Sequence, residues 1–142
     1  MVRGGERIAL VLDIELKKKM HVYAPGVEGY IPIDFTVDGA AGMVHDAVYP
    51  KSKKLRLKAI KETALVYDKP FRLVREITIA PDGKLKPLLS TEGELVIKGS
   101  LRYQACDDKV CYIPETIPLE WKVTVEGHDR QRAPKEMQRK SN

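Results

Sequence analysis

The chain has 142 residues, of which 32% are charged, and carries a net charge of +5. With a mean hydropathy of -0.32 it reads as one globular domain, large enough for a hydrophobic core, with no apolar run long enough to cross a bilayer. Only 6% of the residues are aromatic, too few stacking groups for a nucleic-acid face, so no nucleic-acid partner is expected.

Taken in chain order, Met1-Val2-Arg3-Gly4-Gly5-Glu6-Arg7 is not a signal peptide. The protein is therefore expected to be either cytosolic or an extracytoplasmic domain without its targeting segment. Ile8, Leu10, Leu12, Ile14 and Leu16 alternate with Asp13 and Glu15 and predict a half-buried strand. Lys17-Lys18-Lys19 makes a polar turn, Met20 to Tyr23 resumes an extended pattern, and Ala24-Pro25-Gly26 breaks it. Ile31, Ile33, Phe35 and Val37 alternate again and stop at the turn signal Asp38-Gly39. Met43 to Tyr49 is a further strand, closed by Pro50, whereas Lys51 to Glu62 fits a strand, a loop or a short helix.

Phe71 to Ile79 predicts a strand ended by Pro81-Asp82-Gly83. Leu95, Ile97, Leu101 and Tyr103 mark another, and Ile117, Leu119, Trp121, Val123 and Val125 a last one, with Trp121 facing inward. Pro114 and Pro118 confine the stretch between them to an edge or irregular conformation. Many short strands without a long helical period predict an all-β, antiparallel β-sandwich. The expected division is a domain over 1–126 and a basic tail or linker over 127–142, whose charge reads as solvated.

The only two cysteines stand in Tyr103-Gln104-Ala105-Cys106-Asp107-Asp108-Lys109-Val110-Cys111-Tyr112-Ile113-Pro114-Glu115-Thr116. Four intervening residues can close a hairpin loop and set Cys106 opposite Cys111 at about 5.5 Å between Cα atoms. A bridge around so small a loop removes little chain entropy, which favours a redox role over a staple. Two alternatives stay open: a structural disulfide in a non-catalytic binding or adhesion module, and a zinc site joining both cysteines to two of His21, His45 and His128. Asp107 and Asp108 would raise a thiol pKa and Lys109 lower it, so local charge does not activate either sulfur strongly.

Among the neighbours, His21 is either a proton-transfer group or a strand-end histidine with a structural hydrogen bond. Tyr23, Tyr103 and Tyr112 could wall the cysteines or serve as core and rim packing, with Tyr112 the most direct neighbour. Glu115 is either a proton acceptor or part of a solvated turn. No phosphate-binding loop or Ser/His/Asp arrangement is present.

The run Tyr103-Gln104-Ala105-Cys106, a short acidic loop, and Cys111-Tyr112-Ile113-Pro114-Glu115-Thr116 resembles the active-site segment of the N-terminal domain of the DsbD thiol:disulfide interchange family. The resemblance extends from about Ile8 to Val125, with His21-Val22-Tyr23 where the family has an aromatic-x-Tyr element beside the cysteines. It implies an immunoglobulin-like domain on the periplasmic side of a bacterial membrane, using a cysteine pair and no cofactor. It also implies electrons received from a thioredoxin-like domain fed through a transmembrane region. It implies further that they pass to disulfide-bearing acceptors, including cytochrome c biogenesis proteins, which would make the chain a protein-disulfide reductase component. By position, Cys111 would form the mixed disulfide and Cys106 resolve it. The loop is one residue shorter than in the best-known members, and the region of their aromatic cap, Lys54 to Lys61, has no aromatic here. Either Leu57 or Ile60 serves as the lid, or the site is less protected than in those members.

Overall fold

The computed structural model describes residues 1–27, 29–57, 62–107 and 109–126. The basic tail, His128 and Ile60 lie outside the described residues, as does the side chain of Leu57. Among the described residues, no helix is long and apolar enough to cross a membrane.

The alternating segments form two sheets that enclose the main core. β1 (Arg7–Ile14) and β7 (Phe71–Ile79) pair antiparallel from Arg7 opposite Thr78 to Ile14 opposite Phe71. β4 (Gly42–Val48) flanks β7 on its other side, giving the order β1-β7-β4. The β4 register shifts between Val44 and Ala47, and such a bulge leaves backbone groups without ladder partners. Arg75 donates Nε–H to the His45 carbonyl at 2.8 Å and Nη1–H to the Phe35 carbonyl at 2.6 Å.

The second sheet runs β10-β8-β3, formed by β10 (Glu115–Thr124), β8 (Glu94–Tyr103) and β3 (Asp34–Val37). Pro118 sits within β10, opposite Ser100, and its missing N–H is tolerated because β10 is an edge strand. Leu10, Leu73, Ile77 and Ile79 from the first sheet meet Phe35, Val37, Leu95, Ile97 and Leu101 from the second. Each such large side chain stabilises the fold by about 1.5–3 kcal/mol when fully buried. Trp121 packs against this core, its ring 5.8 Å from that of Phe35. The sheet contacts are close at Gly99, where an added Cβ would lie 2.5 Å from the Thr36 carbonyl oxygen.

A third sheet has the order β5-β6-β2-β9, from β5 (Lys53–Leu57), β6 (Glu62–Tyr67), β2 (His21–Tyr23) and β9 (Ala105–Cys106). The ambiguous stretch after Lys51 is thus a strand over Lys53–Leu57, and β6 is a strand that sequence alternation did not mark. Two expected turns are one-turn helices instead. Asp38 caps a 3-10 turn at Gly39–Ala41 by accepting the Ala40 N–H. After Pro81 the chain makes an α-turn, α1 (Asp82–Leu85), because burial of Leu85 pulls the segment against the core.

Candidate redox site

β2 is covered on both faces, and that placement organises the site. Successive side chains of a strand point to opposite faces. Val22, opposite Tyr67 and Ala105, belongs to the main core. His21 and Tyr23 therefore point the other way, into a second cluster made by Tyr23, Ala64, Val66 and Cys106. Val27, Tyr30 and Leu55 pack against that cluster.

The register places His21 opposite Cys106 on one side, and Cys106 opposite Cys111 on the other. The three residues thus form one cross-strand row. Flanking the cysteine pair, the Asp107 N–H donates to the Val110 carbonyl and the Tyr112 N–H to the Ala105 carbonyl, both at 2.9 Å. Those bonds make Cys106 and Cys111 a non-hydrogen-bonded pair, the narrower of the two antiparallel types. Their Cα atoms are 4.0 Å apart and their sulfurs are joined in a disulfide. The hydrogen-bonded spacing expected from sequence is corrected accordingly, and with both sulfurs in that bond neither is available to zinc in this state. Among the described residues no group of His, Cys, Asp and Glu is arranged to hold a metal ion.

The two sulfurs sit in unlike surroundings. Cys106 is 1% exposed, whereas Cys111 is in an exposed stretch with Val110, Tyr112 and the 85%-exposed Ile113. Tyr23, itself buried, reaches Cys111 from the interior, its hydroxyl 3.5 Å from the sulfur. Its ring stacks on Tyr30 at 4.3 Å between centroids and stands edge-on to His21 at 5.4 Å. Burial, then the neighbouring Tyr30, pushes the Tyr23 phenol up to about 12.

The loop has its own scaffold. Asp107 Oδ1 accepts the N–H groups of Lys109 and Val110, each at 2.7 Å, and Oδ2 accepts the Tyr112 hydroxyl at 3.3 Å. The two backbone donors hold the Asp107 carboxyl below the usual carboxylate range. Read from sequence as a charge acting on the thiols, Asp107 is also the acceptor that shapes the loop. Gln104 ties this hairpin to the segment after β2, accepting the Ile31 N–H at 3.3 Å and donating to the Tyr112 carbonyl at 3.4 Å.

The structure therefore brings His21, Tyr23 and Tyr112 to the cysteines, by register, by contact and by the loop. Tyr103 and Glu115 bind each other instead, the Tyr103 hydroxyl donating to Glu115 Oε2 at 2.8 Å where β8 meets β10. Burial first and then Glu115 raise the Tyr103 phenol. Sequence reasoning missed Tyr30 and the tie made by Gln104. Tyr30 comes from a loop without periodicity, although Gly29 before it, at φ 80°, marks a tight turn.

The antiparallel sandwich thus carries on one hairpin a disulfide with one cysteine enclosed and the other in an exposed stretch. Residues 2–120 match the family model of the thiol:disulfide interchange protein DsbD, N-terminal domain, and the chain belongs to that family. The fold is the family's immunoglobulin-like antiparallel β-sandwich. Among solved structures it is similar to the N-terminal periplasmic domain of ScsB from Proteus mirabilis, at 16% identity and a TM-score of 0.56, covering 82% of this chain and 40% of that one. The chain thus spans 40% of the length of that protein's chain. The reduced N-terminal domain of DsbD from Neisseria meningitidis matches at 16% identity and a TM-score of 0.49, over 80% of this chain and 74% of that one. Comparison with curated proteins finds no match.

Proposed function

We propose that the domain relays electrons by cycling Cys106 and Cys111 between disulfide and dithiol, with Cys111 meeting the partner and Cys106 resolving. The observation that carries this reading is the asymmetry of the pair, one sulfur 1% exposed and the other in an exposed stretch of the hairpin. In the dithiol form the Cys111 thiolate attacks a partner's disulfide, and the partner's other sulfur leaves as a thiolate that takes a proton. Cys106, deprotonated, then attacks Cys111 Sγ. The Cys106–Cys111 bond forms, the mixed disulfide breaks, and the partner's second sulfur leaves and is protonated. Two electrons pass from the domain to the partner. A thioredoxin-like dithiol reverses the sequence and recharges the pair.

The setting we propose is the bacterial periplasm, with 1–126 as the exchange domain and 127–142 as a basic tail or linker. Family membership supports it, as does the periplasmic domain of ScsB among similar structures. Disulfide-bearing proteins, including those of cytochrome c biogenesis, would be the acceptors, and any membrane association would come through a parent transmembrane region. Val110, Tyr112 and Ile113 beside Cys111 offer an apolar rim for such partners.

Equilibration with reduced and oxidised glutathione, followed by acid trapping and mass spectrometry, tests the relay. The expected result is reversible titration at a potential above about -300 mV, the range of labile disulfides. A pair that stays oxidised to well below that value is an inert staple, and the relay fails.

A further inference from the structure

Tyr23 is placed by three independent constraints. Its backbone is pinned between Val66 of β6 and the Pro32 bridge. Its ring is clamped between stacking on Tyr30 and the edge-on contact with His21. Its hydroxyl ends 3.5 Å from Cys111 Sγ. Few buried phenols are left without a partner, and here the hydroxyl meets a reacting sulfur. In the disulfide, Cys111 Sγ carries no proton, so the hydroxyl is the donor.

We infer that Tyr23 is a catalytic residue of the exchange, donating its hydroxyl hydrogen bond to the Cys111 thiolate. The inference rests on the reading of Cys111 as the sulfur that meets the partner. A thiolate is a much stronger acceptor than a disulfide sulfur, so the bond strengthens as charge develops on Cys111. That occurs whenever Cys111 prepares to attack, and again when a donor's second thiol expels it from a mixed disulfide. No proton needs to transfer: the phenol keeps its own, since burial and Tyr30 hold it far above neutral pH.

The geometry also divides the space around the sulfur. Tyr23 is 1% exposed and approaches from inside the domain, which leaves the outer side of Cys111 open to a partner disulfide. Among the described residues, the other ionisable groups on this face or in the hairpin are His21 on β2, Tyr30 after it, and Asp107, Lys109 and Tyr112 in the loop. β6 and β9 bring Ala64, Val66 and Cys106 to this face. Asp107 is turned to the loop's N–H groups, so it does not take the place of a donor to sulfur.

The test uses the Cys106→Ala protein, in which Cys111 is the lone thiol, and reads its rate of alkylation by iodoacetamide against pH. Tyr23→Phe in that background is expected to raise the apparent pKa of Cys111 by about one unit. At neutral pH the thiolate fraction should fall by about tenfold and the rate by only about threefold, because the higher-pKa thiolate is intrinsically more nucleophilic. Fluorotyrosine at position 23, a stronger donor in the same volume, should move the pKa down and serves if the phenylalanine protein does not fold. Superimposable profiles in these proteins would overturn the inference, as would shifts of one sign in both. The relay reading fails separately, by the absence of mixed disulfide between the Cys106→Ala protein and glutathione disulfide when Tyr23 is intact.

Discussion

The core between the β1-β7-β4 and β10-β8-β3 sheets and the small cluster behind β2 arise from the same alternation of side chains, but they carry different burdens. In the first, strands of eight to ten residues bring Leu10, Leu73, Ile77 and Ile97 together with Phe35 of the four-residue β3. In the second, the three-residue β2, the six-residue β6 and the two-residue β9 hold Tyr23, Ala64, Val66 and Cys106, too little apolar area to stabilise a fold. What the small cluster supplies is position: one sulfur is enclosed, and the other is presented at the surface over a buried hydroxyl. The large core holds the domain together, and the small one sets up the chemistry.

This contrast predicts a graded set of losses. Phe35→Ala removes a fully buried ring from the main core and should cost about 3–5 kcal/mol of unfolding free energy. Gly99→Ala drives a Cβ toward the Thr36 carbonyl oxygen, 2.5 Å away, and should cost about 1–3 kcal/mol by overpacking. Removing the disulfide with Cys106→Ala and Cys111→Ala together should cost only about 2 kcal/mol, as its loop is short. Denaturant titration measures all three. The division between the cores would break if loss of the disulfide proved as costly as loss of the Phe35 ring.

The smallest expected effect is confined to the loop and depends on pH. The carboxyl of Asp107 is held below the usual range by the Lys109 and Val110 N–H groups. Its contribution to loop order is therefore complete above its free value near pH 4 and is lost as pH falls through the lower, folded value. Amide chemical shifts of Lys109 and Val110 should hold constant down to about pH 4 and move only below it. Asp107→Asn keeps an acceptor oxygen and should show no such transition. A transition at the free carboxylate value in the native protein would contradict the loop geometry.

The large core was legible because its strands have one buried face, so β1, β7, β8 and β10 announce themselves by alternation. The small core was not, for the same reason inverted. His21-Val22-Tyr23 is buried on both faces, so no polar–apolar alternation marks which side holds the site. The hairpin pairing of the cysteines followed from spacing, but its narrow type depends on which backbone groups flank it. The dual role of Asp107 was hidden because an aspartate's charge is visible in sequence and its hydrogen bonds are not. The Tyr103–Glu115 bond needs the β8–β10 register, which joins residues twelve positions apart.

The account turns on unlike roles for two sulfurs in one bond, and single-cysteine proteins test that directly. Each variant is mixed with glutathione disulfide at neutral pH, and the mixed disulfide is followed by mass spectrometry. Cys106→Ala, which leaves Cys111, should form the adduct readily, whereas Cys111→Ala, which leaves the enclosed Cys106, should react at least tenfold more slowly, roughly as a buried thiol does. Equal rates, or faster reaction at Cys106, would contradict the assignment of Cys111 as the sulfur that meets partners.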